Sequence, residues 1–128
     1  MANTLSKQGM LHVMSALLVL VAFISLFSPL GLSELNVDRK AFFFGHGDLL
    51  LHFALFHFAA WLVVPLGRKV QPYVYIGLLA LGVFSEWAQD AFIANRDGSV
   101  NDAMANVVAV LLVVIFQQSY LFWKARRA

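Results

Sequence analysis

Three pairs of polar residues at helical spacing interrupt an otherwise apolar chain. Asp48 and His52 are four residues apart, Glu86 stands three before Gln89 and four before Asp90, and Asp102 stands four before Asn106. Residues three and four apart share one face of a helix, so each group presents its polar atoms together. Arg96 and Ser99 lie between the last two groups. Two carboxylates and an imidazole have the parts for general acid–base work. A guanidinium takes an anion in bidentate fashion, and the side-chain amides add neutral hydrogen-bond partners. His52 with Glu86 and Asp102 could also hold a divalent ion, but spacing along the chain does not bring the three together. No metal and no cofactor is therefore assigned. There is no HExxH, no nucleophile motif and no Gly-rich phosphate loop, which leaves the question of enzymatic activity open.

The elements that must position these groups follow from composition. The 128 residues are 61% hydrophobic, with a mean hydropathy of +0.77. Only 12% are Asp, Glu, Lys or Arg, against about a quarter in soluble domains. This is a membrane-class composition, and the length suits one domain, 1–128, of four spans of roughly 20 residues each. The apolar runs lie at about 10–30, 48–67, 73–93 and 102–123. The first is too long for a signal-peptide core and ends in SPLG, without a small-x-small cleavage site, so it reads as an uncleaved span. Hydrocarbon offers no partner to backbone polar groups, and helices satisfy them internally. The expected fold is all-α, a four-helix transmembrane bundle. The absence of cysteine excludes disulfide frameworks and thiolate zinc sites. A net charge of +2, with the basic residues at the ends of apolar runs, argues against nucleic acid as a partner.

Four spans place Lys7, Arg68, Lys69, Lys124, Arg126 and Arg127 on one side, and Arg39, Lys40 and Arg96 on the other. The richer side is cytoplasmic and holds both termini. The FFF triplet in the 31–47 connector has the character of an interfacial anchor. The three polar groups then all fall near the outer end of the bundle. Glu86 lies about two turns, roughly 10 Å by helical rise, inside its span. A carboxylate at that depth needs a partner, for which Arg96 and His52 are the candidates, or a proton. Each residue also has a plain structural reading. Asp48 and Asp102 could be helix caps, Asn106 interhelical glue, and Glu86 half of an ion pair with Arg96. His57 reads as packed or interfacial, His12 and His46 as boundary residues, Asp90 and Asp97 as solvated, and Gln117 and Gln118 as helix contacts. The convergence of the groups carries more weight than any one member.

The ordered set DLLLHF (48–53), EWAQ (86–89) and RDGSVNDAMAN (96–106) resembles the VanZ-like family over roughly residues 45–115. The resemblance implies a small integral protein of the bacterial inner membrane. Its polar set, carried over by position, is Asp48, His52, Glu86, Gln89, Arg96, Asp102 and Asn106. The family's namesake is tied to low-level resistance to the glycopeptide teicoplanin. Two positions depart from the family pattern. Leu49 stands where a lysine is frequent, which removes any lysine-dependent role, and Ala109 stands where a glycine is frequent, which suggests looser packing of the last span. The leading functional expectation is an outer-leaflet pocket for the polar headgroup of an envelope lipid or glycan, or for a lipoglycopeptide. Membrane lipids and other membrane proteins are the expected partners. A small subunit or assembly factor of a membrane complex is one alternative, and an enzyme acting on an envelope lipid is another. An ion carrier ranks last, because the cytoplasmic halves of the spans hold little that is polar.

Overall fold

A computed structural model describes residues 46–92 and 98–127, together with residues 10, 13–17, 20 and 21. These contain three long helices and no strand: α1, Gly47–Val63; α2, Gln71–Phe92; and α3, Val100–Ala125. The described residues of the first apolar run are helical as well. The rest of that run, the 31–45 segment of the connector with its Phe triplet, and residues 93–97 with Arg96 and Asp97 lie outside the described residues. The chain is thus all-helical over the described residues. The sequence predicts four membrane crossings. Of the described helices, only α3 is long and apolar enough for one. α1 is as apolar but has 17 residues, about 25 Å at the helical rise, which falls short of a hydrocarbon core of about 30 Å.

The helix ends have local causes. α1 stops at Val63 rather than at the expected 67. Pro65 has no amide hydrogen and restricts the residue before it, so the helix closes in turns from Val64 to Trp61 and from Leu66 to Val63. α2 begins at Gln71, with Pro72 in the first turn, where its missing donor costs nothing. α3 begins at Val100 because Ser99, in extended backbone, accepts the Asp102 amide on its hydroxyl at 3.3 Å. The cap is therefore Ser99, and Asp102 is a first-turn acid favoured by the helix dipole.

α3 is the central element, packed against both α1 and α2, while α1 and α2 touch each other least. The shared core is Phe56, Ala60 and Val63 of α1, Tyr75 of α2, and Ala109, Val110 and Val113 of α3. Ala109, the position where the sequence has alanine in place of a frequent glycine, is fully buried in this core. Polar residues also lie inside: His52, Gln71, Ser85, Glu86, Gln89, Asn106 and Gln117 are all buried. Large apolar side chains face outward, among them Ile76, Val83, Phe84 and Trp87 of α2 and Leu112, Ile115, Phe116 and Phe122 of α3.

At one end of the bundle a polar chain ties the three helices together. Tyr75 donates its hydroxyl to Gln117 Oε1 at 2.7 Å, and Gln117 Nε2 donates to Gln71 Oε1 at 3.0 Å. Gln71 Nε2 in turn reaches the carbonyls of Val64 and Leu66, both at 2.8 Å, at the end of α1. Those carbonyls have no intrahelical donor, so one side chain satisfies two orphan groups. Gln117→Leu fills similar space but strands the Tyr75 hydroxyl and Gln71 Oε1. It is expected to cost about 1–2 kcal/mol, read as a lower thermal midpoint of the purified protein in detergent. An unchanged midpoint would show that the chain is not a clamp.

Candidate functional site

The other end of the bundle holds the residues singled out from sequence. On α2 the buried stripe runs Gln71, Tyr75, Gly82, Ser85, Glu86 and Gln89, a helical spacing occupied almost wholly by polar or small residues. α1 brings His52 to it, and α3 brings Asp102 and Asn106.

Glu86 is the hub. Its Oε1 lies 3.2 Å from His52 Nδ1, and both side chains are almost fully buried. The contact is at ion-pair distance but off the line of an Nδ1–H hydrogen bond. Glu86 Oε2 accepts the backbone amide of Ser99 at 3.2 Å. In a capping box that amide would be taken by the acid at the third helical position, here Asp102. Glu86 takes it instead, which places a carboxylate at the positive end of α3 and leaves the Asp102 carboxylate for another role. One ligand atom from each of His52, Glu86 and Asp102 lies within 4.8 Å of the other two.

Close backbone approach makes this possible at two glycines. A Cβ on Gly98 would sit 2.6 Å from the Glu86 carbonyl oxygen and 3.1 Å from Asp90 Cβ. The residue just before α3 can therefore lie directly on α2, where the Gly98 amide donates to Asp90 Oδ1 at 3.3 Å. The same closeness recurs at Gly82, deeper in the bundle. Asn106 Nδ2 donates to its carbonyl at 3.0 Å, and an added Cβ would meet Asn106 Cβ at 2.9 Å and Phe56 Cε1 at 3.2 Å. Neither the Asn106 Cβ nor a ring packed in the core yields easily. Gly82→Ala is expected to lower stability by about 1–3 kcal/mol through overpacking, measured by thermal or denaturant unfolding in detergent. A gain in stability would show that α2 and α3 have room to separate.

Hydrogen-bonding capacity is left over in this centre. His52 Nε2, Gln89 Nε2 and Asn106 Oδ1 are buried and make no hydrogen bond. Such atoms are uncommon in a settled interior and call for an occupant or a function.

Of the sequence-derived set, the fold brings His52, Glu86 and Asp102 together. It puts Gln89 and Asn106 on the same buried stripes, one helical turn from Glu86 and Asp102 respectively. Asp48 occupies the first turn of α1 and is half-buried. Arg96 lies outside the described residues; His52 and the Ser99 amide are two of the partners of Glu86. His57 is a packed residue, as expected. Its Nε2 accepts from Trp61 Nε1 at 3.1 Å, which puts the ring proton on Nδ1, 3.2 Å from the Ala109 carbonyl. Asp90 is exposed and caps the Gly98 amide, and Gln118 is exposed. Ser85 was not singled out from sequence. It is buried with its hydroxyl on the Gly82 carbonyl at 3.1 Å. Its position on the helical stripe with Gly82 and Gln89 was the available signal.

No protein-family model, curated protein or solved structure matches the chain.

Proposed function

We propose that the chain is a multi-pass protein of the bacterial inner membrane, of VanZ-like type, that binds the polar headgroup of an envelope lipid or glycan at the outer end of its bundle. The observation that carries this reading is the unfilled hydrogen-bonding capacity of His52 Nε2, Gln89 Nε2 and Asn106 Oδ1 beside the His52–Glu86 pair. Convergent polar groups in an apolar enclosure are what a headgroup site requires. Membrane placement is supported by the inverted distribution of side chains. Polar residues line the helix contacts, while Phe84, Trp87, Ile115, Phe116 and Phe122 face outward, an arrangement suited to lipid rather than water. At the C-terminus Arg126 lies over the Phe122 ring at 4.2 Å and Arg127 over the Trp123 ring at 3.9 Å. Such basic–aromatic pairs belong at a headgroup boundary, and their charge favours the cytoplasmic side. Arg96, which follows α2 in the sequence, is assigned the anionic part of the ligand.

The experiment is native mass spectrometry of the chain purified from bacterial membranes, alongside Glu86→Gln and Arg96→Ala variants and a teicoplanin-sensitivity assay. The reading expects a lipid-linked envelope precursor on the wild-type protein, with both variants accumulating normally but losing the lipid and the phenotype. If the wild type carries only bulk phospholipid, or the variants keep the precursor, the reading fails. A second reading, an enzyme acting on an envelope lipid, is favoured by the meeting of an imidazole with two carboxylates at His52, Glu86 and Asp102. It predicts turnover of the bound precursor by the wild-type protein, visible as a product mass.

A further inference from the structure

We infer that His52, Glu86 and Asp102 form a binding site for one divalent ion of the zinc class. The three residues come from three helices, and one ligand atom of each lies within 4.8 Å of the others. Zinc takes imidazole nitrogen and carboxylate oxygen together, at about 2.0–2.2 Å. Tetrahedral zinc sets such ligands about 3.4 Å apart, so the widest pair has at most about 1.4 Å to close, within reach of a side-chain rotation. The His52 Nδ1–Glu86 Oε1 separation of 3.2 Å is already near the roughly 3.4 Å that tetrahedral angles set between two such ligands.

Two further observations point to an ion rather than a simple pair. First, the His52–Glu86 contact is close without the alignment of a hydrogen bond, although both side chains are almost fully buried. Two ligands facing a shared ion have that geometry, because each lone pair points at the ion and not at its neighbour. Second, His52 is 1% exposed, and its Nδ1, the nitrogen on the Glu86 side, is itself buried without a hydrogen-bond partner. Three protein ligands would leave zinc a fourth position, as in sites that bind or activate a further group. The inference deepens the headgroup reading and rests on it for that group's identity: an anionic phosphate or carboxylate is what the open position would accept.

The test uses the full chain in detergent, with any purification tag removed and metals stripped with EDTA. Zn2+ is returned, excess is removed by gel filtration, and the metal is counted by mass spectrometry. About one zinc per chain is expected, with a rise in thermal midpoint on zinc addition. Co2+ in its place should give visible bands of mixed nitrogen–oxygen coordination. Asp102→Asn and His52→Ala should each weaken zinc binding about tenfold or more, and Asp102→Asn, which preserves shape, should fold without the zinc-dependent rise. The site is overturned if the folded wild type retains no zinc and shows no shift, or if both variants retain it undiminished. Lipid retention in the same stripped sample separates the two readings. Precursor bound without zinc removes the ion and keeps the headgroup site, whereas zinc bound without any precursor keeps the ion and removes the headgroup.

Discussion

Glu86→Ala is expected to destabilise the bundle by about 3–5 kcal/mol, the range for removing one partner of a buried pair. The residue is 5% exposed and joins all three helices: α2 carries it, α1 supplies His52 at 3.2 Å, and the start of α3 supplies the Ser99 amide at 3.2 Å. Truncation strands an imidazole and a backbone donor in a space that water does not freely enter, and it leaves a cavity as well. Glu86→Gln keeps an acceptor for the Ser99 amide and nearly the same volume, so its loss should be about 1–2 kcal/mol. The measurement is the unfolding midpoint in detergent, with membrane abundance beside it. Equal losses for the two variants would show that the charge, not the acceptor, holds α3 in place. No loss in either would show that Glu86 belongs to the site's chemistry alone.

The second large effect is expected at Gly98, where the obstacle is backbone. A methyl group there would lie 2.6 Å from the Glu86 carbonyl oxygen, well inside contact distance, and a helical carbonyl cannot rotate away. Gly98→Ala should lift the start of α3 off α2 and lengthen or break the bonds from Ser99 to Glu86 and from Gly98 to Asp90. The expected cost is about 2–3 kcal/mol in stability, and Asp102 should move away from His52 and Glu86. This variant therefore separates position from chemistry, since every polar residue of the site is still present. Hydrogen exchange of the Ser99 and Val100 amides is the direct measurement. Faster exchange at these two, with the rest of α3 unchanged, is the expected pattern. Wild-type protection would mean that the contact is not needed to seat α3.

The polar groups are legible before any fold because they are rare in so apolar a chain and sit at helical spacing. Asp48 with His52, Glu86 with Gln89, and Asp102 with Asn106 each declare a shared face from spacing alone. The DGS turn announces a helix start nearby, although the sequence offers Asp102 as its cap and the helix begins two residues earlier, behind Ser99. Less can be read of the helix surfaces. In Val, Leu, Phe and Ile runs, lipid-facing and core-facing positions are both apolar, so hydropathy does not reveal which stripe is buried. Ser85, Gly82 and the Tyr75–Gln117–Gln71 chain stay hidden for that reason. Hydropathy also places the end of α1 four residues too late, because Pro65 and Gly67 fall within a run that still reads as apolar.

The sequence by itself determined that the chain is helical and strongly apolar, and that the acidic residues of the three helices gather toward one end of each, at Asp48, Glu86, Asp90 and Asp102. Those properties follow from composition and from periodicities within single helices. Only the tertiary structure decided that Glu86 pairs with His52 and the Ser99 amide, and that Asp102 closes on both. It also assigned the cap to Ser99, leaving the Asp102 carboxylate available. These are contacts between residues 13 to 50 positions apart, and they depend on how closely α3 can approach its neighbours. That approach is set by Gly98, where the absence of a side chain leaves room for the Glu86 carbonyl, and by Gly82, where it leaves room for the Asn106 and Phe56 side chains.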